Sequence, residues 1–142
     1  MKVKDIMTNQ VIDIDREESV AVAARSLAHY NVGVLPVRDA VGTLCGVVTD
    51  RDIVTRCLAA GRVPENTRVG EIMTAQVHSV QPNVDTSVAA HMMGKQQVRR
   101  LPVVENGKLC GMLSLGDLAN HEESNYDAAD AFGEITSGIS SR

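Results

Sequence analysis

Apolar residues along the chain follow two periods, which alternate as expected of a protein that mixes helices and strands. A period near 3.6 predicts helices over Glu18–Tyr30 and Asp85–Gln97. Ser19 and Asp85 are suited to cap these helices at their N-termini. The apolar stripes predicted to face the core are Val20, Ala23, Ala24 and Leu27 in the first helix, and Val88, Ala89, Met92 and Met93 in the second.

Short apolar runs bounded by turn residues predict strands on both sides of each helix. These strands are Val11–Ile14, Val34–Val37 and Leu44–Val48 in the first half, and Val77–Val80, Leu101–Val104 and Leu109–Leu113 in the second. Turns are expected at Asp39–Gly42 and at Glu105–Gly107, where Asn-Gly is a strong hairpin signal. A closing helix begins near Asp50 and again near Leu115, so each half has the order β-α-β-β-α.

The two halves are copies of one another. Asp-Ile-Met-Thr at 5–8 recurs as Glu-Ile-Met-Thr at 71–74, and Leu-Pro-Val at 35–37 recurs at 101–103, both 66 residues later. Leu-Cys-Gly at 44–46 recurs at 109–111, an offset of 65, so the second hairpin turn is one residue shorter. The sequence therefore predicts an α/β (α+β) fold of two repeats packed about a pseudo-two-fold axis.

Gly61 and Pro64 interrupt the first closing helix and mark the end of the first repeat. The predicted organisation is repeat 1 over residues 2–62, a linker over 63–68, repeat 2 over 69–121 and an acidic tail over 122–142. Tyr126, Ala129, Phe132 and Ile135 recur in the tail at about helical spacing. The tail is therefore expected either to form an amphipathic helix that covers the edge of the module or a second subunit, or to be disordered.

Composition excludes several classes of function. The net charge is −4, and the acidic excess lies in the tail, so no basic face for nucleic acid is expected. One Phe, two Tyr and no Trp leave few platforms for stacked bases. No apolar run approaches the length of a membrane span, and three cysteines without close pairing favour a reducing cytoplasm over a disulfide framework. The histidines lack metal-binding spacing, so no metal site is expected.

The repeated motifs resemble the CBS family, named for cystathionine β-synthase. The resemblance rests on Asp-Ile-Met-Thr, on Asn31–Val37 and on Gly46–Ile53, with the matching segments Gln97–Val104 and Gly111–Leu118 in the second copy. It covers about residues 2–120 and extends to stand-alone bacterial CBS-pair proteins, including the hypoxic response protein type. It implies a regulatory pair of domains that binds AMP, ADP, ATP, S-adenosylmethionine or another adenosyl ligand, and that associates as a homodimer.

Thr49-x-x-Asp52 and Ser114-x-x-Asp117 each stand where a strand gives way to a helix. A carboxylate can accept hydrogen bonds from both hydroxyls of a ribose, and a Ser or Thr hydroxyl can donate to a phosphate. The resemblance implies these same roles. The spacing is also that of a helix capping box, and one motif can serve both purposes.

The two clefts expected between the repeats are chemically unequal, because Gly33 occupies the position of Arg99 and Gly116 that of Arg51. We expect one cleft to suit a polyphosphate and the other a less anionic ligand, or none. The first is formed by Thr49, Arg51, Asp52, His78, Val98 and Arg99, and the second by Ser114, Asp117, Ile12, Val32 and Gly33.

No catalytic triad, Walker loop or dinucleotide fingerprint is present, so the sequence favours a non-enzymatic module with no required cofactor. The first hypothesis is a sensor of an adenosyl small molecule whose bound state is read by a separate effector protein. The alternative is a non-catalytic dimerisation or interaction module that binds no nucleotide. Neither hypothesis includes nucleic acid or a membrane as a partner.

Overall fold

The computed structural model describes residues 1–121 and 125–140, which form two compact units. We call residues 12–77 the central unit, and residues 1–11 together with those from 78 onward the terminal unit. The chain therefore starts in the terminal unit, completes the central unit and then returns.

The central unit contains a three-stranded sheet with the order β1-β2-β3, in which β1 is parallel and β3 antiparallel to β2. Its elements are β1 Ile14–Asp15, α2 Val20–Tyr30, β2 Val34–Arg38, β3 Leu44–Thr49, α3 Asp50–Asp52, a π-helix Ile53–Leu58, a 3-10 helix Pro64–Asn66 and α4 Val69–Ile72. The predicted strand at Val11–Ile14 is reduced to two residues. The predicted closing helix continues from α3 as a π-helix, a rare geometry.

The terminal unit pairs β4 with β5 and surrounds this hairpin with helices. Its elements are α1 Val3–Ile6, α5 Thr86–Gln96, β4 Arg100–Glu105, β5 Lys108–Ser114, α6 Leu115–Ala119 and α7 Asn125–Ser140. The predicted strand at Val77–Val80 is represented by one parallel bridge, from Val80 to Val103.

The predicted helix caps are confirmed, and the predicted stripes are confirmed in part. The Ser19 hydroxyl accepts a hydrogen bond from the Val22 amide, and the Asp85 carboxylate accepts one from the Ser87 amide. Val88 was predicted to face the core but is 52% exposed, whereas Ala90 is buried. Successive side chains on a helix differ in direction by about 100°, so the predicted stripe was rotated from the buried face, which includes Ala90 and not Val88.

The tail forms a docked helix rather than disorder over 125–140. It packs against α5 and α6, and its buried residues are Ala128, Ala131 and Ile135. Of the predicted stripe, Ile135 is buried in the terminal unit, whereas Ala129 and Phe132 are exposed. The side chain of Tyr126 lies outside the described residues.

The two Met-Thr segments close the sheets in the same way. Thr74 exchanges two backbone hydrogen bonds with Val47, at 2.9 and 2.8 Å, and Thr8 exchanges two with Met112, at 2.8 and 3.0 Å. The neighbouring strand residues are Gly46 and Gly111. A methyl group at Gly46 would overlap the Thr74 carbonyl oxygen, so this close backbone approach requires glycine.

We predict that Gly46→Ala costs about 2 kcal/mol of unfolding free energy, because a rigid backbone atom must shift. Gly111→Ala should cost less, because the nearest atom to the new methyl would be the flexible Met7 sulfur at 2.6 Å. Gly133→Ala in α7 is the control, since a methyl there meets nothing within 4 Å and should stabilise the helix slightly. Urea denaturation measures all three; equal losses for Gly46→Ala and Gly111→Ala would contradict the assignment.

Candidate functional site

Two strand-to-helix junctions carry the predicted ligand motifs. We call Thr49–Asp52 the first junction and Ser114–Asp117 the second. Both are reciprocal capping boxes. In the first, the Asp52 amide donates to the Thr49 hydroxyl and the Thr49 amide donates to the Asp52 carboxylate, each at 3.0 Å. In the second, the equivalent distances between Ser114 and Asp117 are 3.0 and 2.8 Å. Each motif therefore stabilises its own helix start.

The carboxylate of the first junction has further structural partners. Asp52 is only 7% exposed. The Thr74 hydroxyl lies 3.3 Å from both carboxylate oxygens, and the Arg56 guanidinium lies 3.8 Å from one of them. Arg56 also donates to the carbonyls of Ile72 and Met73. Asp52 and Arg56 therefore fasten the first junction to the segment that ends α4.

The carboxylate of the second junction is less engaged. Asp117 is partly exposed, and within the described part of the chain its hydrogen bonds are those of the capping box with Ser114. The backbone amide of Asp117, and not its carboxylate, holds the Ser114 hydroxyl in position.

The backbone amides of the two junctions differ because one side chain differs. In the first junction, the Asp50 carboxylate accepts a hydrogen bond from the Arg51 amide at 2.8 Å. Leu115 stands in the place of Asp50, and a leucine has no acceptor to offer the Gly116 amide. The first junction therefore presents a carboxylate where the second presents an uncapped amide, so the second is the better environment for an anion.

A pocket of about 520 Å³ opens beside the second junction, within the terminal unit. This volume falls in the range typical of small-molecule sites. Its lining combines two cationic side chains with small and apolar ones, contributed by β4, the second junction, α6 and α7: Arg99, Arg100, Ser114, Leu115, Gly116, Ala119, Ala128, Ala129 and Phe132.

The hairpin register brings Arg99 and Arg100 to this pocket. Arg100 is paired with Ser114 across β4 and β5, and the Leu115 amide donates to the Arg99 carbonyl at 2.8 Å. The sequence analysis assigned Arg99 and Ser114 to different clefts, whereas the structure places them on one pocket. Counting outward from the Asn106-Gly107 turn would have identified this neighbourhood.

The remaining predicted residues lie elsewhere. Arg51, Gly33 and Ile12 are exposed in the central unit, and Val32 packs partly against its core. His78 is exposed in the terminal unit, Val98 packs partly against that core, and neither lines the pocket. The predicted clefts combine residues of both units, so their grouping stays a prediction.

Glycine at two of the predicted positions is not required by the backbone. Gly33 and Gly116 do not have positive φ, and a methyl group at either would meet only ordinary contacts of 3.6 Å or more. Gly116 also lies in the first turn of α6, where glycine lowers helix stability. Neither the backbone conformation nor the surrounding contacts therefore require glycine at 116, which lines the pocket.

Sequence reasoning missed the contribution of α7 to the pocket. Phe132 and Ala129 were assigned to a face that docks, and Ala128 was not singled out. Their signal was present in the helical spacing of the tail, but a sequence pattern cannot show which face meets the pocket.

The cysteines and histidines offer no competing site among the described residues. Cys45, Cys57 and Cys110 are free thiols, and no group of three or more His, Cys, Asp or Glu side chains in the described ranges is arranged to hold a metal ion. Burial, with the nearby Glu105 carboxylate, raises the pKa of the Cys110 thiol, which disfavours the reactive thiolate. In residues 1–121 and 125–140, no helix is long and apolar enough to cross a membrane.

Comparison with known proteins identifies both repeats. The sequence profile described as "CBS domain" matches residues 3–59 and 69–124. The CBS domain-containing protein YhcV of Bacillus subtilis is 40% identical over 134 residues, which cover 94% of each chain.

Solved structures show the same relationship. The crystal structure of Hypoxic Response Protein I, with two coordinated zinc ions, matches with a TM-score of 0.78 at 32% identity, over 85% of this chain and 98% of that one. The crystal structure of CBSX2 in complex with AMP matches with a TM-score of 0.73 at 31% identity, over 84% and 93% of the two chains. The resemblance to stand-alone CBS-pair proteins is therefore confirmed.

We predict that Asp52→Asn lowers the unfolding free energy by about 1–2 kcal/mol, because the lost charge serves Thr74 and Arg56 as well as the cap. Asp117→Asn is the matched substitution in the second junction and should cost less than about 1 kcal/mol. Chemical denaturation compares them. A larger loss for Asp117→Asn would show that the first junction is not the more structural of the two.

Proposed function

Because the chain belongs to the CBS domain family and carries two copies of the domain, we propose that it is a non-enzymatic regulatory module whose terminal unit binds a phosphorylated adenosyl ligand. One observation carries this proposal. Two arginines (Arg99 and Arg100), the hydroxyl of the N-cap residue Ser114 and the uncapped amide of Gly116 line one pocket of about 520 Å³. The AMP complex of CBSX2 supports the adenosyl class of ligand.

The chemistry of the pocket favours a ligand with an anionic end and an apolar body. Arg99 and Arg100 offer planar sets of N–H donors that match phosphate oxygens. The Ser114 hydroxyl and the Gly116 amide add donors to the same lining, whereas Ala119, Ala128 and Ala129 add apolar surface. A nucleotide presents phosphate and base in this way, so AMP, ADP and ATP are the first candidates, followed by S-adenosylmethionine.

This proposal reverses the predicted preference of the two motifs. The sequence analysis assigned the polyphosphate to the cleft containing Thr49, Arg51 and Asp52. At the first junction, however, the Asp52 carboxylate is engaged by Thr49, Thr74 and Arg56, and Asp50 adds a second negative charge. In our proposal, the first junction is mainly structural and the second receives the ligand.

Regulation in this proposal follows from the thermodynamic coupling between ligand binding and the arrangement of the protein. A ligand that binds one arrangement of the protein more tightly shifts the population toward that arrangement. In our proposal, this arrangement belongs to a homodimer, and a separate effector protein recognises its ligand-bound state.

A dimerisation module that binds no nucleotide is the second candidate. Val54 and Leu58 favour it, since they are 55% and 53% exposed one turn apart on the π-helix of the central unit. Exposed apolar pairs of this kind are suited to a protein partner or to a second copy.

We expect AMP, ADP or ATP to raise the melting temperature, since a ligand that binds the native state stabilises it. Calorimetry then measures affinity. Ala119→Leu should lower that affinity at least about tenfold by filling the pocket with a side chain that helices tolerate. Arg100→Gln should lower it about tenfold through loss of charge-assisted hydrogen bonds.

Ala28→Leu is the matched control, because Ala28 is an exposed helical alanine in the central unit. It should leave nucleotide affinity unchanged. If none of the adenosyl compounds binds, the sensor proposal fails and a dimerisation module becomes the better-supported function. If binding occurs but Ala119→Leu leaves it intact, the ligand occupies another site.

A further inference from the structure

The helix α7 lies beyond the residues that match the CBS domain profile, which end at 124, yet it is an integral part of the terminal unit. Ala128 and Ala131 belong to the buried core. The Gln97 side-chain amide donates to the Glu134 carbonyl at 3.0 Å, and Glu134 lies so close to Gly94 that a methyl group there would meet its carboxylate at 2.6 Å. The position of α7 against α5 is therefore closely determined.

The docked helix brings one aromatic side chain to the pocket. Phe132 is 51% exposed and lines the pocket together with Arg99. The Cζ atom of the Arg99 guanidinium lies over the Phe132 ring, 5.9 Å from its centroid. This distance is within the range of a cation–π interaction.

Such an interaction orients the arginine without consuming its hydrogen bonds. The attraction is between the cationic charge and the aromatic ring, so it leaves the guanidinium N–H donors available to hydrogen-bond a phosphate. A guanidinium held in this way loses less conformational freedom when it binds a phosphate, and reduced ordering cost appears as affinity.

We propose that Phe132 is a positioning residue, which holds the Arg99 guanidinium so that its edge receives the phosphate of the ligand in the terminal-unit pocket. This inference rests on the proposed function and adds the element that determines specificity for a charged over an uncharged adenosyl ligand. It gives α7 a role in recognition in addition to its role in packing.

Two other roles for Phe132 make different predictions. As a wall that only contacts the base, Phe132 would contribute equally to AMP and to adenosine, which lacks the phosphate. As a plug that fills the pocket, it would oppose both ligands. A positioning role affects AMP alone and does so through Arg99.

The test is a double-mutant cycle on Arg99→Gln and Phe132→Leu, with AMP and adenosine as the two probes. Leucine keeps an apolar side chain on α7 but removes the ring. We expect Phe132→Leu to weaken AMP about two- to fivefold and Arg99→Gln to weaken it about tenfold. The double variant should bind AMP no more weakly than Arg99→Gln, and adenosine affinity should be unchanged throughout.

Gly133→Ala is the control on α7, since it alters the neighbouring position without meeting another atom within 4 Å. It should leave AMP affinity as in the wild type. Additive losses in the cycle, an equal loss for adenosine, a gain in AMP affinity or no effect of Phe132→Leu would each overturn the proposal. A wild-type protein that binds neither probe would instead refute the proposed function on which it rests.

A second measurement tests the contact without any ligand. The Arg99 side-chain N–H should show an upfield ring-current shift in the NMR spectrum of the free protein, and Phe132→Leu should abolish that shift while Gly133→Ala preserves it. An Arg99 resonance that does not respond to Phe132→Leu would overturn the positioning role even where AMP binds.

Discussion

The register of the two β-hairpins is the constraint on which the candidate site depends. In each hairpin, the residue that opens the first strand pairs with the residue that closes the second: Val34 with Thr49, and Arg100 with Ser114. The next residues outward are joined by one backbone bond, from Asp50 to Gly33 at 3.1 Å and from Leu115 to Arg99 at 2.8 Å. A slip of one residue would turn every side chain to the other face and separate the arginines from the serine.

The same scaffold supports different chemistry because the duplicated positions have diverged where the backbone does not constrain them. Gly46 and Gly111 both remain glycine, since the Met-Thr segment approaches each of them closely. Gly33 and Arg99, Arg51 and Gly116, and Asp50 and Leu115 are also equivalent pairs, but neither backbone conformation nor packing restricts them to one residue type. These exchanges give the second junction Arg99 and the open space at Gly116, whereas the first junction carries the opposite charges of Arg51 and Asp50.

Sequence reasoning was most successful where local chemistry decides the structure. The hairpin strands and the caps at Ser19 and Asp85 follow from side chains acting within a few residues, so they could be predicted. The first strand of each repeat could not be delimited, because its pairing depends on β2 or β4, which come later in the chain. The continuation of α3 as a π-helix has no local signature. The sequence pattern did not predict that Phe132 would be exposed in the terminal unit, because the buried face of α7 depends on its packing against α5 and α6.

The exposure of Phe132 is the observation that folding alone does not explain. The chain has a single Phe, and an aromatic side chain contributes most to stability when it is buried. The docking of α7 is already provided by Ala128, Ala131 and Ile135, which are almost completely buried. A half-exposed ring beside Arg99 adds little to that packing, yet it restricts a long cationic side chain that would otherwise sample many rotamers. In the proposed site this restriction prepares the arginine for an anion, a role that the Gly116 amide and the Ser114 hydroxyl of the same pocket share.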